Sequence, residues 1–152
     1  MTIGVISDTH GLLRPEARRA LQGSELILHA GDVGGWEILR DLRQIAPVVA
    51  VRGNVDTADS AKWLHATEVA ECAGQSFYML HNIAELDLKP KSAKFAAVIY
   101  GHSHEPTIEW KDGVLFFNPG SAGPRRFLLP VTVGKIKIVD GELRPEIITL
   151  LR

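Results

Sequence analysis

Five short apolar segments of this chain each end in residues that can bind a metal ion. The polar stretches that follow them are Ser7-Asp8-Thr9-His10, His29-Ala30-Gly31-Asp32, Arg52-Gly53-Asn54-Val55-Asp56, His81-Asn82 and Gly101-His102-Ser103-His104. If the segments are strands, their carboxyl ends meet at one edge of a sheet, where ligand sites of α/β proteins form. The candidate ligands shared among them are two carboxylates, one amide and four imidazoles, from Asp8, His10, Asp32, Asn54, His81, His102 and His104.

This set of side chains favours a pair of transition-metal ions. It holds too many ligands for one tetrahedral ion, which takes about four, and suits two ions that share a carboxylate. Mixed oxygen and imidazole ligands favour Mn²⁺, Fe²⁺, Zn²⁺, Ni²⁺ or Co²⁺ over Mg²⁺ or Ca²⁺. We also expect Gly31, Gly53 and Gly101, which precede ligands, to let the backbone turn sharply beneath the metals.

The elements that must position these residues alternate early in the chain and then become strands. Buried strands are predicted at Thr2–Ile6, Leu26–Leu28, Val48–Val51, Phe77–Leu80 and Ala96–Tyr100, with helices at Pro15–Gln22 and Trp36–Ile45. Later strands are predicted at Ile108–Trp110, Val114–Phe117, Val131–Val139 and Glu142–Leu151, with Asp112-Gly113 and Asp140-Gly141 as hairpin turns. Two packed sheets flanked by helices would accommodate both halves.

Composition limits the class of protein. The 152 residues, 45% hydrophobic and 23% charged, predict one domain spanning 1–152 rather than a disordered chain. A net charge of −1 provides no global basic field for a nucleic-acid backbone. The single cysteine, Cys72, excludes an internal disulfide. We expect a soluble cytoplasmic protein with no membrane association, since no membrane-length apolar run or signal peptide is apparent.

The ordered motifs resemble those of the calcineurin-like metallophosphoesterases. The matching residues are Asp8-Thr9-His10, Gly31-Asp32, Gly53-Asn54-Val55-Asp56, His81 and Gly101-His102-Ser103-His104, with the Asn118-Pro119-Gly120-Ser121 turn typical of the small bacterial and archaeal phosphodiesterase branch. The resemblance implies an α/β fold, a four-layer α/β/β/α sandwich with two mixed sheets flanked by helices. It also implies a dinuclear centre in which Asp8, His10, Asp32 and His104 bind one ion. Asp32 bridges to the second ion, which Asn54, His81 and His102 complete.

The same resemblance implies hydrolysis of small phosphodiesters or phosphomonoesters. Two divalent ions, with Mn²⁺ preferred, would lower the pKa of a bridging water, and the resulting hydroxide would attack phosphorus. The expected catalytic residues are Asp32, Asn54 and Asp56, and the expected substrate-binding residues are Arg52, Ser121 and Arg125. Asp56 has two further readings, as a turn residue or as a support for Asn54.

Two positions depart from the family pattern. Val55 stands where many family phosphatases have a histidine that protonates the leaving group, so good leaving groups should react fastest. The fourth motif, often His-Gly-His in the small branch, is His81-Asn82-Ile83 here.

Other functions remain open on the sequence. A vacuolar-sorting subunit of the same family acts mainly through protein contacts, so a non-catalytic or weakly catalytic scaffold is the alternative. A nuclease is disfavoured by length and charge, which leaves small nucleotides as the expected nucleic-acid substrates.

Phe127-Leu128-Leu129 and the late strands suggest a homodimer. His29 is interpreted as a core histidine, with support of the ligands as the alternative.

Overall fold

A computed structural model describes residues 1–56 and 63–151. The two α-helices of the described chain are α1 (Pro15–Leu21) and α2 (Trp36–Arg43), and a short 3-10 helix covers Ile83–Glu85. The strands are β1 (Thr2–Ile6), β2 (Leu26–His29), β3 (Val48–Ala50), β4 (Thr67–Cys72), β5 (Gln75–Leu80), β6 (Ala97–Ile99), β7 (Thr107–Lys111), β8 (Val114–Asn118), β9 (Val131–Val139) and β10 (Glu142–Leu151).

The strands form two mixed five-stranded sheets, as predicted. Sheet one has the order β10-β9-β1-β2-β3, in which β1, β2 and β3 are parallel and β9 pairs antiparallel with both β1 and β10. Sheet two has the order β4-β5-β6-β8-β7, in which β5, β6 and β8 are parallel and the two edge strands antiparallel. Each sheet therefore has three neighbouring parallel strands whose carboxyl ends share one edge.

The sheets pack face to face through alternate side chains. Val5 and Leu28 of sheet one meet Phe77, Met79 and Phe117 of sheet two in the central core. Removing a large apolar side chain from water stabilises a fold by about 1.5–3 kcal/mol, so this layer fixes the two sheets against each other. The site-bearing strand ends are thus held in a fixed relation.

The outer faces of the two sheets are covered differently. Helices α1 and α2 cover sheet one through apolar residues that include Leu21, Leu39 and Leu42. Sheet two is covered by the segment around the 3-10 helix, from which Ile83 and Phe95 pack against its outer face. The outer layer on this side is therefore formed by a 3-10 turn and irregular chain.

Most predicted elements are present with bounds shifted by one or two residues, and two differences have an identifiable cause. Strand β4 was not predicted because its residues alternate in burial, with only Ala70 and Cys72 facing the core. Such an edge strand lacks a continuous apolar run. Helix α2 ends at Arg43 instead of Ile45, shortly before Pro47, since proline disfavours helical backbone in the residue before it.

Candidate metal centre

The predicted metal ligands converge at the carboxyl ends of the parallel strands. Hydrogen bonds between the connecting loops hold them there: the Asp8 amide donates to the Gly31 carbonyl at 3.0 Å, and the His10 amide donates to the Asp32 carbonyl at 2.9 Å. In sheet two, the Gly101 amide donates to the His81 carbonyl at 2.9 Å. Backbone pairing thus continues beyond the strands and fixes the spacing of the loops.

One group of ligand atoms surrounds an oxygen of Asp8. Asp8 Oδ1 lies 3.3 Å from His104 Nε2 and 3.8 Å from His10 Nε2. Ligands about 2.0–2.2 Å from a single ion stand roughly 3–3.5 Å apart, so these separations are close to those of a coordination shell.

A second group contains Asp8, Asp32 and His81. Asp32 Oδ2 lies 3.1 Å from His81 Nε2 and 3.6 Å from His10 Nε2, while Asp8 Oδ1 lies 3.8 Å from His81 Nε2. The Asp32 carboxylate therefore stands between imidazoles of the two groups. The His102 ring packs edge-on against the His81 ring with centroids 5.3 Å apart.

The chemistry of these atoms fits divalent metal ions. Asp8 Oδ1, His10 Nε2 and His81 Nε2 are buried and have no hydrogen-bond partner. Leaving buried polar atoms unpaired costs free energy, and nearly all such atoms in folded proteins have partners. Three orphaned ligand atoms pointing into one small volume are explained by ions that they would coordinate.

Neighbouring groups orient the ligand atoms. The carbonyl oxygen of Ala30, 2.7 Å from His81 Nδ1, can only accept, so Nδ1 carries the proton and Nε2 faces the centre. Asp8 Oδ2 accepts hydrogen bonds from Ser7 Oγ at 2.7 Å and from the His102 amide at 3.2 Å. Only Oδ1 of Asp8 is then left to point inward.

Five of the seven predicted ligands occupy left-handed backbone. The φ angles of these residues lie between 46° and 74°, at Asp8, His10, Asp32, His102 and His104. Side chains other than glycine are uncommon there, and such strain persists only where surrounding structure enforces it. Its concentration on the ligands supports a functional role for this cluster.

The glycines beneath the ligands act in two ways. Gly31 has a φ of +103°, which confirms a sharp turn at that position. Gly53 has no positive φ; instead, a side chain there would overlap the backbone and carboxylate of Asp32. The predicted requirement for turning is therefore wrong at Gly53, where close packing requires glycine.

The charges of the cluster are strongly coupled. Burial alone would raise the pKa of Asp32, but the adjacent His81 imidazole and the hydrogen bond from the Val55 amide lower it well below its usual range. Burial alone would lower the pKa of His81, but the adjacent Asp32 carboxylate, the Ala30 carbonyl and the charge of Asp8 raise it. The Asp32 carboxylate thus remains ionised and available as a ligand.

Asp56 lies beneath the loops of the centre. Its Oδ2 accepts from the amides of Gly53 at 2.9 Å and Val33 at 3.2 Å, and its Oδ1 accepts from the Gly34 amide at 3.0 Å. The side chain is buried. Both oxygens are thus used to tie the loop after β3 to the loop after β2.

The three predicted substrate-binding residues differ in their surroundings. Arg52 lines a cavity beside the centre, together with Asn54 and His81. Ser121 is buried, and its hydroxyl donates to the Asp8 carbonyl at 3.1 Å. The Arg125 guanidinium is exposed and lies 3.5 Å from the Leu151 carbonyl, at the end of β10.

His29 joins the two loops that carry the carboxylates. It is fully buried; its Nδ1 accepts from the Gly31 amide at 3.1 Å, and its Nε2 lies 3.0 Å from Thr9 Oγ1. The Thr9 hydroxyl donates to the Val33 carbonyl at 2.7 Å, so His29 Nε2 must be the donor to Thr9. Burial lowers the pKa of His29 to about 4.

The sequence analysis missed part of the site. The cavity next to His81 is also lined by Tyr78, Asn82, Glu85 and Asp87. The departure from the family pattern after His81 marked this segment as distinctive, but sequence spacing alone did not indicate that it faces the centre.

None of the described helices has the length and apolar character required to cross a bilayer.

Comparison with known proteins agrees with this geometry. The family model described as the calcineurin-like phosphoesterase superfamily domain matches residues 1–141. A probable metallophosphoesterase of Methanocaldococcus jannaschii is 35% identical over 130 residues, covering 80% of this chain and 68% of that protein. A phosphodiesterase of the same organism is 30% identical over 139 residues, covering 79% and 83%.

Solved structures show the same fold. The structure of vacuolar protein sorting 29 from Cryptosporidium parvum superposes with a TM-score of 0.76, covering 99% of this chain and 98% of that one at 18% identity. At this identity the likeness concerns the fold alone. The matching family model, the curated relatives and the gathered ligand residues lead to one assignment: the chain belongs to the calcineurin-like phosphoesterase superfamily.

Proposed function

We infer that this protein is a metal-dependent phosphodiesterase that hydrolyses small phosphodiesters. The observation that carries the proposal is the position of Asp32 Oδ2, which lies 3.1 Å from His81 Nε2 and 3.6 Å from His10 Nε2. These two imidazoles belong to different groups of ligand atoms, one with His104 and one with Asp32. A carboxylate between them is suited to join two ions in one centre.

The family resemblance supplies the ligand roles, and the two groups of ligand atoms, Asp8-His10-His104 and Asp8-Asp32-His81, support them in part. Asp8, His10, Asp32 and His104 would hold one ion, and Asp32, Asn54, His81 and His102 the other. The mixed oxygen and imidazole donors favour Mn²⁺, with Fe²⁺, Ni²⁺, Zn²⁺ and Co²⁺ as alternatives. Such a pair of ions, when bound, neutralises charge on the phosphate and supplies a water of lowered pKa for hydrolysis.

Arg52, which lines the cavity, would bind a phosphate oxygen of the substrate. Its side chain is exposed, and it forms no ion pair with the described residues. Guanidinium groups bind phosphate oxygens through paired, charge-assisted hydrogen bonds. A diester held between Arg52 and the metal ligands would be fixed in orientation before attack.

The contacts of the remaining predicted residues favour supporting roles. The side-chain oxygens of Asp56 and Ser121 form hydrogen bonds with backbone groups of the ligand loops. We therefore assign to them the positioning of Asp32, Asn54 and Asp8 instead of contact with substrate. Arg125 stays a predicted substrate contact without further support.

The decisive experiment measures hydrolysis of bis(p-nitrophenyl) phosphate by the purified chain with Mn²⁺, with and without a chelator. His81→Ala and Asp32→Ala each remove one ligand and should lower kcat/KM by at least about 100-fold, the upper range for disturbed metal sites. His65→Ala is the matched control, because the exposed His65 side chain pairs with Glu68 and belongs to neither group of ligand atoms.

The outcomes separate the proposed function from its alternatives. Turnover that persists unchanged with chelator, or that survives in both ligand variants, would contradict a metal-dependent reaction. Tight Mn²⁺ binding without turnover of any phosphoester would instead favour the non-catalytic scaffold. Hydrolysis of monoesters alone would assign a phosphatase.

A further inference from the structure

A cavity of about 430 Å³ opens directly beside the metal centre. His81 and Asn54 form its side towards the ligands, and Arg52 lies on the same side. His81 is only 5% exposed, and its unpartnered Nε2 faces the metal centre, so this residue belongs both to the ligand cluster and to the lining of the cavity. A phosphodiester bound at the centre would place one of its two alcohol groups in this space.

Two acidic residues also line the cavity. Their position depends on Asn82, the residue after His81. The Asn82 side chain accepts from the Ala84 amide at 3.0 Å and thereby caps the 3-10 helix Ile83–Glu85. This helix ends with Glu85, and Asp87 follows two residues later; both carboxylates are exposed and line the cavity. Glu85 and Asp87 form no ion pair with any described residue.

The charges of the cavity are therefore arranged in two parts. Arg52 lines the cavity together with the predicted metal ligands Asn54 and His81 and would attract a phosphate held at the centre. Glu85 and Asp87 would instead face the group that extends from that phosphate into the cavity. Carboxylates accept hydrogen bonds from hydroxyl groups and attract ammonium groups, but they repel a second anion. In a diester whose leaving group departs on the other side of the phosphate, the alcohol in this cavity is the one that is retained.

We propose that the cavity selects phosphodiesters whose retained alcohol carries hydrogen-bond donors, an ammonium group above all, and disfavours those that carry a second anionic group. This inference rests on the proposed phosphodiesterase function and names its substrate class. Hydroxyl-rich and amine-bearing alcohols share the required donor chemistry. The amine adds charge attraction to both carboxylates.

The experiment compares p-nitrophenyl phosphodiesters that share one leaving group and differ only in the second alcohol. The four alcohols are ethyl, 2,3-dihydroxypropyl, 2-aminoethyl and 2-carboxyethyl. At low ionic strength, kcat/KM for the aminoethyl ester should exceed that for the carboxyethyl ester by roughly tenfold, the size expected for several exposed charge interactions. The dihydroxypropyl ester should fall between aminoethyl and ethyl.

The variant Glu85→Gln/Asp87→Asn removes both charges while keeping the shapes of the side chains. It should reduce the aminoethyl-to-carboxyethyl ratio to about twofold or less. Glu142→Gln/Glu146→Gln is the matched control, since it changes net charge equally on strand β10, outside this cavity. That control should keep the ratio of the unaltered protein.

A binding measurement provides a second readout. The methyl diesters of 2-aminoethanol and 3-hydroxypropionate react slowly, so calorimetry on the Mn²⁺-loaded protein can report their affinities. The amine should bind roughly fivefold more tightly, and the difference should vanish in Glu85→Gln/Asp87→Asn.

The results distinguish failure of this inference from failure of the proposed function. Hydrolysis of the ethyl ester with equal rates for the amine and carboxylate esters would overturn the selectivity alone. The same conclusion would follow if the double variant kept the full ratio in both measurements. Absence of hydrolysis for all four esters would reject the phosphodiesterase function, and equal binding of the two methyl diesters would then reject the selectivity as well.

Discussion

Gly101 lies so close to Ser7 that a methyl group on its Cα would overlap the Ser7 hydroxyl oxygen. That hydroxyl donates to Asp8 Oδ2 at 2.7 Å, so the contact joins the loop after β6 to the carboxylate after β1. The carbonyl of Gly101 in turn accepts from Asn118 Nδ2 at 3.1 Å. The two sheets are thus connected through groups that orient metal ligands.

Gly101→Ala should weaken metal binding more than it weakens the fold. The added methyl group displaces Ser7 and turns Asp8, so we expect Mn²⁺ affinity to fall by about tenfold or more, as when groups supporting a metal ligand are altered. Calorimetric titration of Mn²⁺ into the purified variant measures this. Gly113→Ala is the control, because its cost comes from a φ of +78° in a hairpin with open space around it. It should lower stability by about 1 kcal/mol and leave Mn²⁺ affinity intact.

Asp56→Asn should destabilise the fold and the centre together. In either orientation, the amide NH₂ of asparagine faces at least one of the backbone amides that now donate to Asp56. We expect a loss of about 2–3 kcal/mol in the free energy of unfolding, because a buried donor is left unsatisfied. Urea unfolding of the metal-free variant measures the loss. A variant of full stability whose only defect is slow release of poor leaving groups would instead identify Asp56 as a general acid.

The rate should depend steeply on the leaving group. Val55 is 43% exposed beside Asn54 and offers no proton, so alkoxides of high pKa should leave slowly. In a series of aryl and alkyl methyl phosphodiesters, log kcat/KM should fall steadily as the leaving-group pKa rises. Val55→His should flatten the slope by raising the rates of the poorest leaving groups. An equally flat slope without the substitution would reveal another acid in the site.

Acid should weaken the fold partly through His29. Its folded-state pKa of about 4 lies below the ordinary value of 6.5, so the unfolded chain binds a proton that the folded chain does not. The stability contributed by neutral His29 is therefore fully present above about pH 6.5 and is lost as the pH falls towards 4. The loss amounts to about 2–3 kcal/mol.

His29→Gln isolates this contribution. With chelator present, the free energy of unfolding of the unaltered chain should fall more steeply between about pH 7 and pH 4 than that of His29→Gln. The comparison concerns slopes, so a lower stability of the variant at neutral pH does not affect it. Parallel curves would show that His29 does not titrate between the two states.

The gathering of the candidate ligands could be predicted in part from the sequence, because they follow apolar segments. Asp8 and Asp32 follow neighbouring parallel strands of sheet one, whose carboxyl ends share one edge. His81 follows a strand of sheet two, so only the packing of the two sheets brings it to the same place. Hydrophobic runs likewise predicted the central strands of both sheets. Strand β4 was not predicted, because half of its residues face away from the core and it has no continuous apolar run.

Contacts between loops were decided only by the tertiary structure. The amides bound by Asp56 and the contact of His29 with Thr9 link loops that come together only in the folded chain. The lack of room for a side chain at Gly53 likewise results from its contact with Asp32. The acidic wall at Glu85 and Asp87 depends on how a capped 3-10 helix packs beside His81. Residue types specify which chemistry is available, whereas the packing of the loops determines which atoms remain free to perform it. The reason is that a carboxylate oxygen or backbone amide acquires its hydrogen-bond partner only when the neighbouring loop is in place.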